Sequence, residues 1–498
     1  MTEITETKVL VGMEIHVELA TDSKMFTSAP NGVQPSRYDA KPNTLVDPLV
    51  MALPGSLPVL NKRAVAMSMR VGLAMNCTIS NFTKWDRKNY YYPDLPKGYQ
   101  ISQFDKPLCI EGAIEIEVNG IKKPVRITRA HLEEDTGKLV HELPGGSHYD
   151  GSLVDLNRSG TPLLEIVSEP DMCSADEAVA YGKEVRDICR FLGVTEGVMQ
   201  RGHMRFEPNI NIIITTSDGK EHPTPIVEVK NLNSFKALHA AIEHESVRQV
   251  EAWKKDGKEM GPGAKSTRGW DDQKLITLLQ REKEDAHDYR FFPDPDLVPL
   301  TISQQWIDEV NSTIPELPAS RRARYKKQFN MSEKDTAAIT ADPSLCFFFE
   351  HCATESGNGI ESAKWLLNAG AKLSNERGCQ VDQLGITPEQ LSGIIALRSS
   401  KSIGSSAANT LFELLCDSQQ TAEAVAESEG LLQVTDENAL DKWVQEAIEA
   451  QPQAADDVRG GKEAAVGRLV GEVMKRSGGS ADASAVRTKL VSTLRQGV

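Results

Sequence analysis

From Val9 to Leu19 every odd position is apolar, while positions 14, 16 and 18 are Glu, His and Glu. A period of two predicts a β-strand with one face in the core and Glu14, His16 and Glu18 together on the other. Two further segments repeat the theme. The run Arg126 to Gly137 reads as an extended segment carrying Glu133, Glu134 and Asp135 near its end, and alternation turns Glu134 opposite to its two neighbours. In the second, Glu165 is embedded in the apolar string LLEIV. Strand-like alternation with Gly and Pro punctuation, interrupted by helical stretches such as Arg63 to Asn76, continues to about residue 297. Beyond it the period changes: Trp306, Ile307 and Val310, then Leu366, Leu367 and Leu373, then Leu391, Ile394, Ile395 and Leu397 recur at helical spacing. Thr387 as N-cap, Pro388 at the first helical position and Gln390 three residues after the cap predict a helix starting near 388. The fold class expected is α+β: an α+β domain over 1–297, an all-helical domain over 298–425 and a small helical tail over 426–498.

Composition adds boundaries to this picture. The 498 residues have room for about three domains. No apolar run exceeds five residues, far short of the roughly 18–20 that span a bilayer, so no membrane partner is expected. Lys and Arg number 56 against 71 Asp and Glu, a net charge of −15, which leaves any nucleic-acid contact to a local patch. One such patch exists: residues 459–498 hold eight Lys/Arg and three Asp/Glu, a net of +5. Its bland alternative is the solvated face of a small helical bundle. The eight cysteines form no C-x-x-C pair, which argues against a zinc ribbon or a disulfide scaffold and for a reducing compartment. The acidic opening MTEITETKVLVG is unlike a signal or transit peptide, and a cytoplasmic location is expected.

Several residues have chemistry to offer. Carboxylates from several strands, with one imidazole, suit a divalent cation; Mg²⁺ prefers a few carboxylates, waters and phosphates, whereas imidazole also suits Mn²⁺ or Zn²⁺. A carboxylate in an apolar string needs a partner, which for Glu165 is a cation site or an ion pair with a structural arginine such as Arg158. The segment Asp86 to Gln100 crowds Arg87, Lys88 and three tyrosines with Pro and Gly, a composition that holds phosphates and stacks on unpaired bases, or that simply packs beneath a loop. Gly261 to Ser266 is superficially like a phosphate loop, but Ala264 replaces the glycine before Lys265 and Glu259 stands where the first glycine belongs, so a surface turn is expected. Gly404, Ser405 and Ser406 read as a helix start rather than an amidase loop.

Nine stretches carry a resemblance: GMEIHVEL (12–19), TDSKMF (21–26), PGSLPVLNKRAV (54–65), DRKNYYYPDLPKGYQISQF (86–104), ITRAHLEEDTGK (127–138), SLVDLNRSGTPLLEIVSEPD (152–171), VEVKNLNSF (227–235), DYRFFPDPDLVPL (288–300) and GEVMKRSGG (471–479). Together, in order and across nearly the whole chain, they resemble the GatB family of aspartyl/glutamyl-tRNA amidotransferase subunits. The resemblance implies a cradle-shaped α+β domain followed by a helical domain and a helical tail that contacts tRNA. It implies partnership with an amidase subunit and a small linking subunit, and use of ATP and Mg²⁺ to transamidate Glu-tRNA(Gln), Asp-tRNA(Asn) or both. By the match, Glu14, His16, Glu134 and Glu165 correspond to the family's catalytic and Mg²⁺-binding cluster, with His16, Glu134 and Glu165 as ligands. Arg87, Lys88 and Tyr90 are candidates for the acceptor end or phosphates, and Lys475 and Arg476 for the outer part of tRNA. Two departures stand out. Many relatives carry C-P-V-C where this chain reads Asp47-Pro48-Leu49-Val50, so no structural zinc is expected there, and Phe206-Glu207-Pro208-Asn209 replaces C-D-A-N. The related archaeal paralogue specific for Glu-tRNA(Gln) carries an inserted domain for which 498 residues leave little room. A non-catalytic tRNA-binding scaffold is the alternative of a different class.

Overall fold

The computed structural model describes residues 3–143, 146–282, 289–433, 437–477 and 481–495. Asp288, Gly478 and Gly479 of the quoted stretches, and residues 434–436 of the acidic segment before the tail, lie outside them. The chain forms two compact units, Met1–Ala319 and Ser320–Val498.

The first unit is built on a ten-stranded sheet. From edge to edge its path runs Ile276–Glu282, Ser266–Asp271, Val227–Lys230, Met204–Thr216, Ile4–Glu18, Pro162–Ser168, Ile121–Glu134, Cys109–Val118 and Thr78–Ile79, with Glu221–Pro223 added to Met204–Thr216. Neighbours are antiparallel except Val227–Lys230 and Ser266–Asp271, which run parallel and are joined through the helix Phe235–Asp256, the kind of connection a parallel pair needs. The alternation read along 9–19 is realised: Val11, Met13, Ile15 and Val17 are at most 1% exposed and pack on the helices Lys62–Ala74, Ala175–Phe191 and Phe235–Asp256 through Val65, Met69, Val185, Ile188, Leu238 and Ile242. These helices start where side chains satisfy their first free N–H groups: Asn61, Ser174 and Ser234 each accept from a backbone N–H of the first turn. The first begins at Lys62, one residue from its expected start.

A small sheet sets Asp86–Asn89 between Phe292–Pro293 and Tyr99–Ser102, bringing two of the quoted stretches side by side. The boundary expected at 297 moves: the helix Gln304–Asn311 buries Val310 and rests Trp306 and Ile307 against the first unit's core, which extends the unit to Ala319. In place of two cysteines, Asp47 closes its own turn by accepting from Val50 N at 2.9 Å and from the Thr27 hydroxyl.

In the second unit, helices Pro343–Ser356, Gly359–Trp365, Pro388–Ser399, Ser405–Leu415 and Ala422–Ser428 bury Phe349, Leu366, Leu391, Ile394, Leu411 and Phe412. The capping box forms as expected, with Thr387 accepting from Gln390 N and the Gln390 side chain accepting from Thr387 N. Gly404 caps the helix starting at Ser405. The boundary expected at 425 falls inside the helix Ala422–Ser428, whose Val425 and Ala426 are both buried. The tail helices Glu437–Ala450, Pro452–Arg459, Val466–Arg476 and Ala483–Arg495 share their own core of Val444, Leu469, Val473, Val486 and Leu490. No helix among the described residues is long and apolar enough to cross a membrane.

Candidate active site

Register decides which side chains meet. Glu165 lies opposite His16 on one side and opposite His131 on the other, while His16 also faces Arg205, so four strands set His131, Glu165, His16 and Arg205 in one row of a single sheet face. The adjoining rows bring Arg129, Glu14 and Glu207 on one side and Glu133 and Glu18 on the other. This face is the reverse of the one packed by helices, and it opens into a cavity of about 550 Å³. Lys88, Tyr90, Phe104, Tyr289 and Phe291 form its far wall, with Phe104 and Phe291 stacked at 4.4 Å.

His16 Nε2 is 3.5 Å from Glu165, 3.7 Å from Glu14 and 3.8 Å from Glu133. His131 Nε2 is 3.5 Å from Glu165 and 4.0 Å from Glu133, and Arg129 reaches the other Glu165 oxygen at 3.5 Å. Burial alone would push the His16 imidazole down, but Glu165, Glu207 and Glu14 outweigh it and lift it to about 9. Burial and the neighbouring Glu165 carboxylate push Glu133 up to about 7 and also raise Glu14. Against its own burial, Glu165 is held below the usual carboxylate range by the two imidazoles, while burial drives His131 down to about 4.

Elsewhere on this face the acids have permanent cations. Asp135 is bound by Arg205 at 2.5 Å with Arg158 at 3.5 Å, and Lys230 bridges Glu228 at 3.1 Å and Glu207. Glu14, Glu133 and Glu165 instead crowd around the imidazoles, and three overlapping groups of donors have ligand atoms within 4.8 Å of one another: Glu14, His16 and Glu165; His131, Glu133 and Glu165; Glu14, Glu207 and Glu228. Carboxylate oxygens with imidazole fit a divalent cation, and the buried Nδ1 of His16 has no hydrogen-bond partner. Unmet negative charge at this depth calls for a cation.

Of the residues expected from sequence, Glu14, His16 and Glu165 meet. Glu134 does not: its carboxylate points to the opposite face, where it accepts from Lys97 Nζ and from Ile101 N at 3.0 Å. Glu133 takes its place in the cluster, oriented by Ser102 Oγ, which donates to it at 3.2 Å. Arg158 pairs with Asp135 and the carbonyls of Thr136 and Gly137 rather than with Glu165. Lys88 and Tyr90 line the cavity, and Lys88 Nζ lies 5.0 Å from the Tyr289 ring centre. Arg87 is held aside by Asp294 at 2.7 Å and Asp296 at 2.8 Å, stacked over Tyr99. In the second unit Lys475 is exposed, whereas Arg476 pairs with Glu446 and Glu472. Sequence reading missed His131, Arg129, Arg205, Glu228, Lys230, Tyr289, Phe104 and Phe291. For the first two a signal existed, since alternation puts them on the face of Glu133.

A sequence profile described as the GatB/GatE catalytic domain matches residues 9–308, and one described as the GatB domain matches 347–494. The chain belongs to the GatB family. It is 43% identical over 475 residues to the GatB subunit of the aspartyl/glutamyl-tRNA(Asn/Gln) amidotransferase of Caldanaerobacter subterraneus subsp. tengcongensis, covering 95% of this chain and 96% of that protein. The proteins of the same name from Caldicellulosiruptor saccharolyticus and Geobacter sulfurreducens are 40% and 41% identical, covering 99% and 98% of this chain and 100% and 99% of theirs. The stretch that matches the GatB/GatE catalytic domain holds the whole sheet and every cavity residue named above.

Proposed function

We propose that this chain is the carboxylate-activating subunit of an ATP-dependent tRNA amidotransferase, converting Glu-tRNA(Gln), Asp-tRNA(Asn) or both to their amides. The observation that carries this reading is the cavity in which Glu14, His16, Glu133 and Glu165 converge under a wall of lysine and aromatic side chains. A carboxylate is a poor electrophile, so the substrate oxygen must first bond to the γ-phosphorus of ATP, releasing ADP. Ammonia nitrogen then bonds to the acyl carbon, the bond to the phosphate oxygen breaks, and one ammonia proton leaves on the phosphate. Such phosphoryl transfer requires positioning and charge neutralisation rather than covalent help from the protein. Mg²⁺ held by Glu14, His16, Glu133 and Glu165 would neutralise phosphate oxygens. Lys88 adds a fixed positive charge at the wall, and Tyr90 and Tyr289 offer ring faces to the acceptor end. Glu134 has the separate task of anchoring Lys97 behind the site.

The sequence offers no amidase nucleophile, so ammonia comes from a separate amidase joined through a small linking subunit. All eight cysteines are free, in keeping with a reducing cytoplasm. The deciding experiment assembles the chain with those partners and supplies ATP, Mg²⁺ and free ammonia in place of glutamine. Wild type is expected to amidate one or both misacylated tRNAs, and Glu165→Gln to lose at least about 100-fold in rate. A variant as active as wild type would sink this site assignment.

A further inference from the structure

We infer that the cavity holds two divalent cations bridged by Glu165, the second seated between His131, Glu133 and Glu165. The inference rests on the amidotransferase reading and goes beyond it, since a single ion needs only the first donor group. Glu165 stands on the strand between those of His16 and His131, in register with both, and its Oε2 is 3.5 Å from each imidazole Nε2. One carboxylate thus serves two donor groups that otherwise share no residue: Glu14 with His16, and His131 with Glu133. A carboxylate between two ions is the usual geometry of paired sites, whose ions lie about 3.5–4 Å apart.

An independent observation is His131 itself. It is 4% exposed, its Nδ1 has no hydrogen-bond partner, and its Nε2 looks into the cluster at distances longer than the roughly 2.7–3.2 Å of a hydrogen bond. An imidazole this deep, with neither nitrogen bonded and one aimed at two carboxylates, is a ligand without its ion. Glu14, Glu207 and Glu228, by contrast, already have Lys230, which bridges Glu207 and Glu228, so they do not call for a third ion. The pair answers a problem of the reaction: the carboxylate oxygen that bonds to the γ-phosphorus and the phosphate it attacks are both anionic. Two ions give each reactant its own neutralising centre as the bond to ADP breaks.

The test uses the full chain with Mn²⁺ alone, without ATP or tRNA, read by equilibrium dialysis and electron paramagnetic resonance. Wild type is expected to bind two Mn²⁺ per chain with a spin-coupled spectrum. His131→Asn and Glu133→Gln are each expected to bind one, with the uncoupled six-line signal, and Glu165→Gln to lose the coupling. Melting curves report whether each variant is folded; should His131→Asn fail to fold, Glu133→Gln decides. One Mn²⁺ in wild type, or two that survive both substitutions, overturns the inference. The ammonia-dependent assay reads separately: an active chain with one Mn²⁺ overturns the pair alone, whereas an inactive chain with two overturns the amidotransferase reading.

Discussion

Glu133 and Glu134 are neighbours of the same type on one strand, yet their substitutions should have opposite signatures. Glu134 is paired with Lys97, and both side chains are at most 10% exposed. Replacing it with Gln leaves a buried ammonium without its counter-charge, and Glu134→Gln is expected to cost about 3 kcal/mol of stability, read by thermal or denaturant melting. Glu133 sits among other carboxylates, so Glu133→Gln relieves repulsion. It should melt no earlier than wild type while losing amidation in the ammonia assay, and a Glu134→Gln protein that is stable and inactive would reverse the two assignments. The difference was half legible in the sequence. Alternation separates Glu133 from Glu134, but a slip of one residue exchanges the faces, and only pairing with Glu165 and Leu163 shows which one meets His16. Glu14, His16 and Glu165 were legible because an ionisable residue in an apolar string has few places to go.

At the level of elements, the strands and helices followed from periodicity and capping residues, whereas their assignment to a core did not. Trp306, Ile307 and Val310 declare a helix, but their spacing says nothing about which hydrophobic surface it covers, and here it is that of the preceding unit. Close packing between elements was equally hidden. Gly72 in the helix Lys62–Ala74 faces Cys109 on the neighbouring strand, and a Cβ at that position would lie 2.5 Å from the Cys109 sulfur. Gly72→Ala must therefore push helix and strand apart, at an expected cost of about 1–3 kcal/mol in melting experiments. Adding Cys109→Ala should recover most of the loss, because the two changes share one space. An unchanged melting point for Gly72→Ala alone would contradict this packing.

On the scale of the whole chain, charge is divided unevenly: the net −15 conceals a tail that is positive by five. Arg476 is already engaged by Glu446 and Glu472, so exposed Lys475 is the better probe of an RNA contact. Lys475→Ala is expected to weaken tRNA binding alike for both tRNAs and to lower the slope of log affinity against log salt by about 1, with amidation of saturating substrate unaffected. An unaltered slope would return the patch to solvent. The order of strands has a further consequence for how the protein is made. Ile4–Glu18, the first strand to leave the ribosome, is central, and its neighbours are Pro162–Ser168 and Met204–Thr216. At about 5–20 residues per second, its apolar face waits roughly 10–40 s for the last of them. A nascent chain of this kind must be shielded by chaperones or held in local collapse until synthesis has passed residue 216, and premature release there exposes a sticky, half-made sheet.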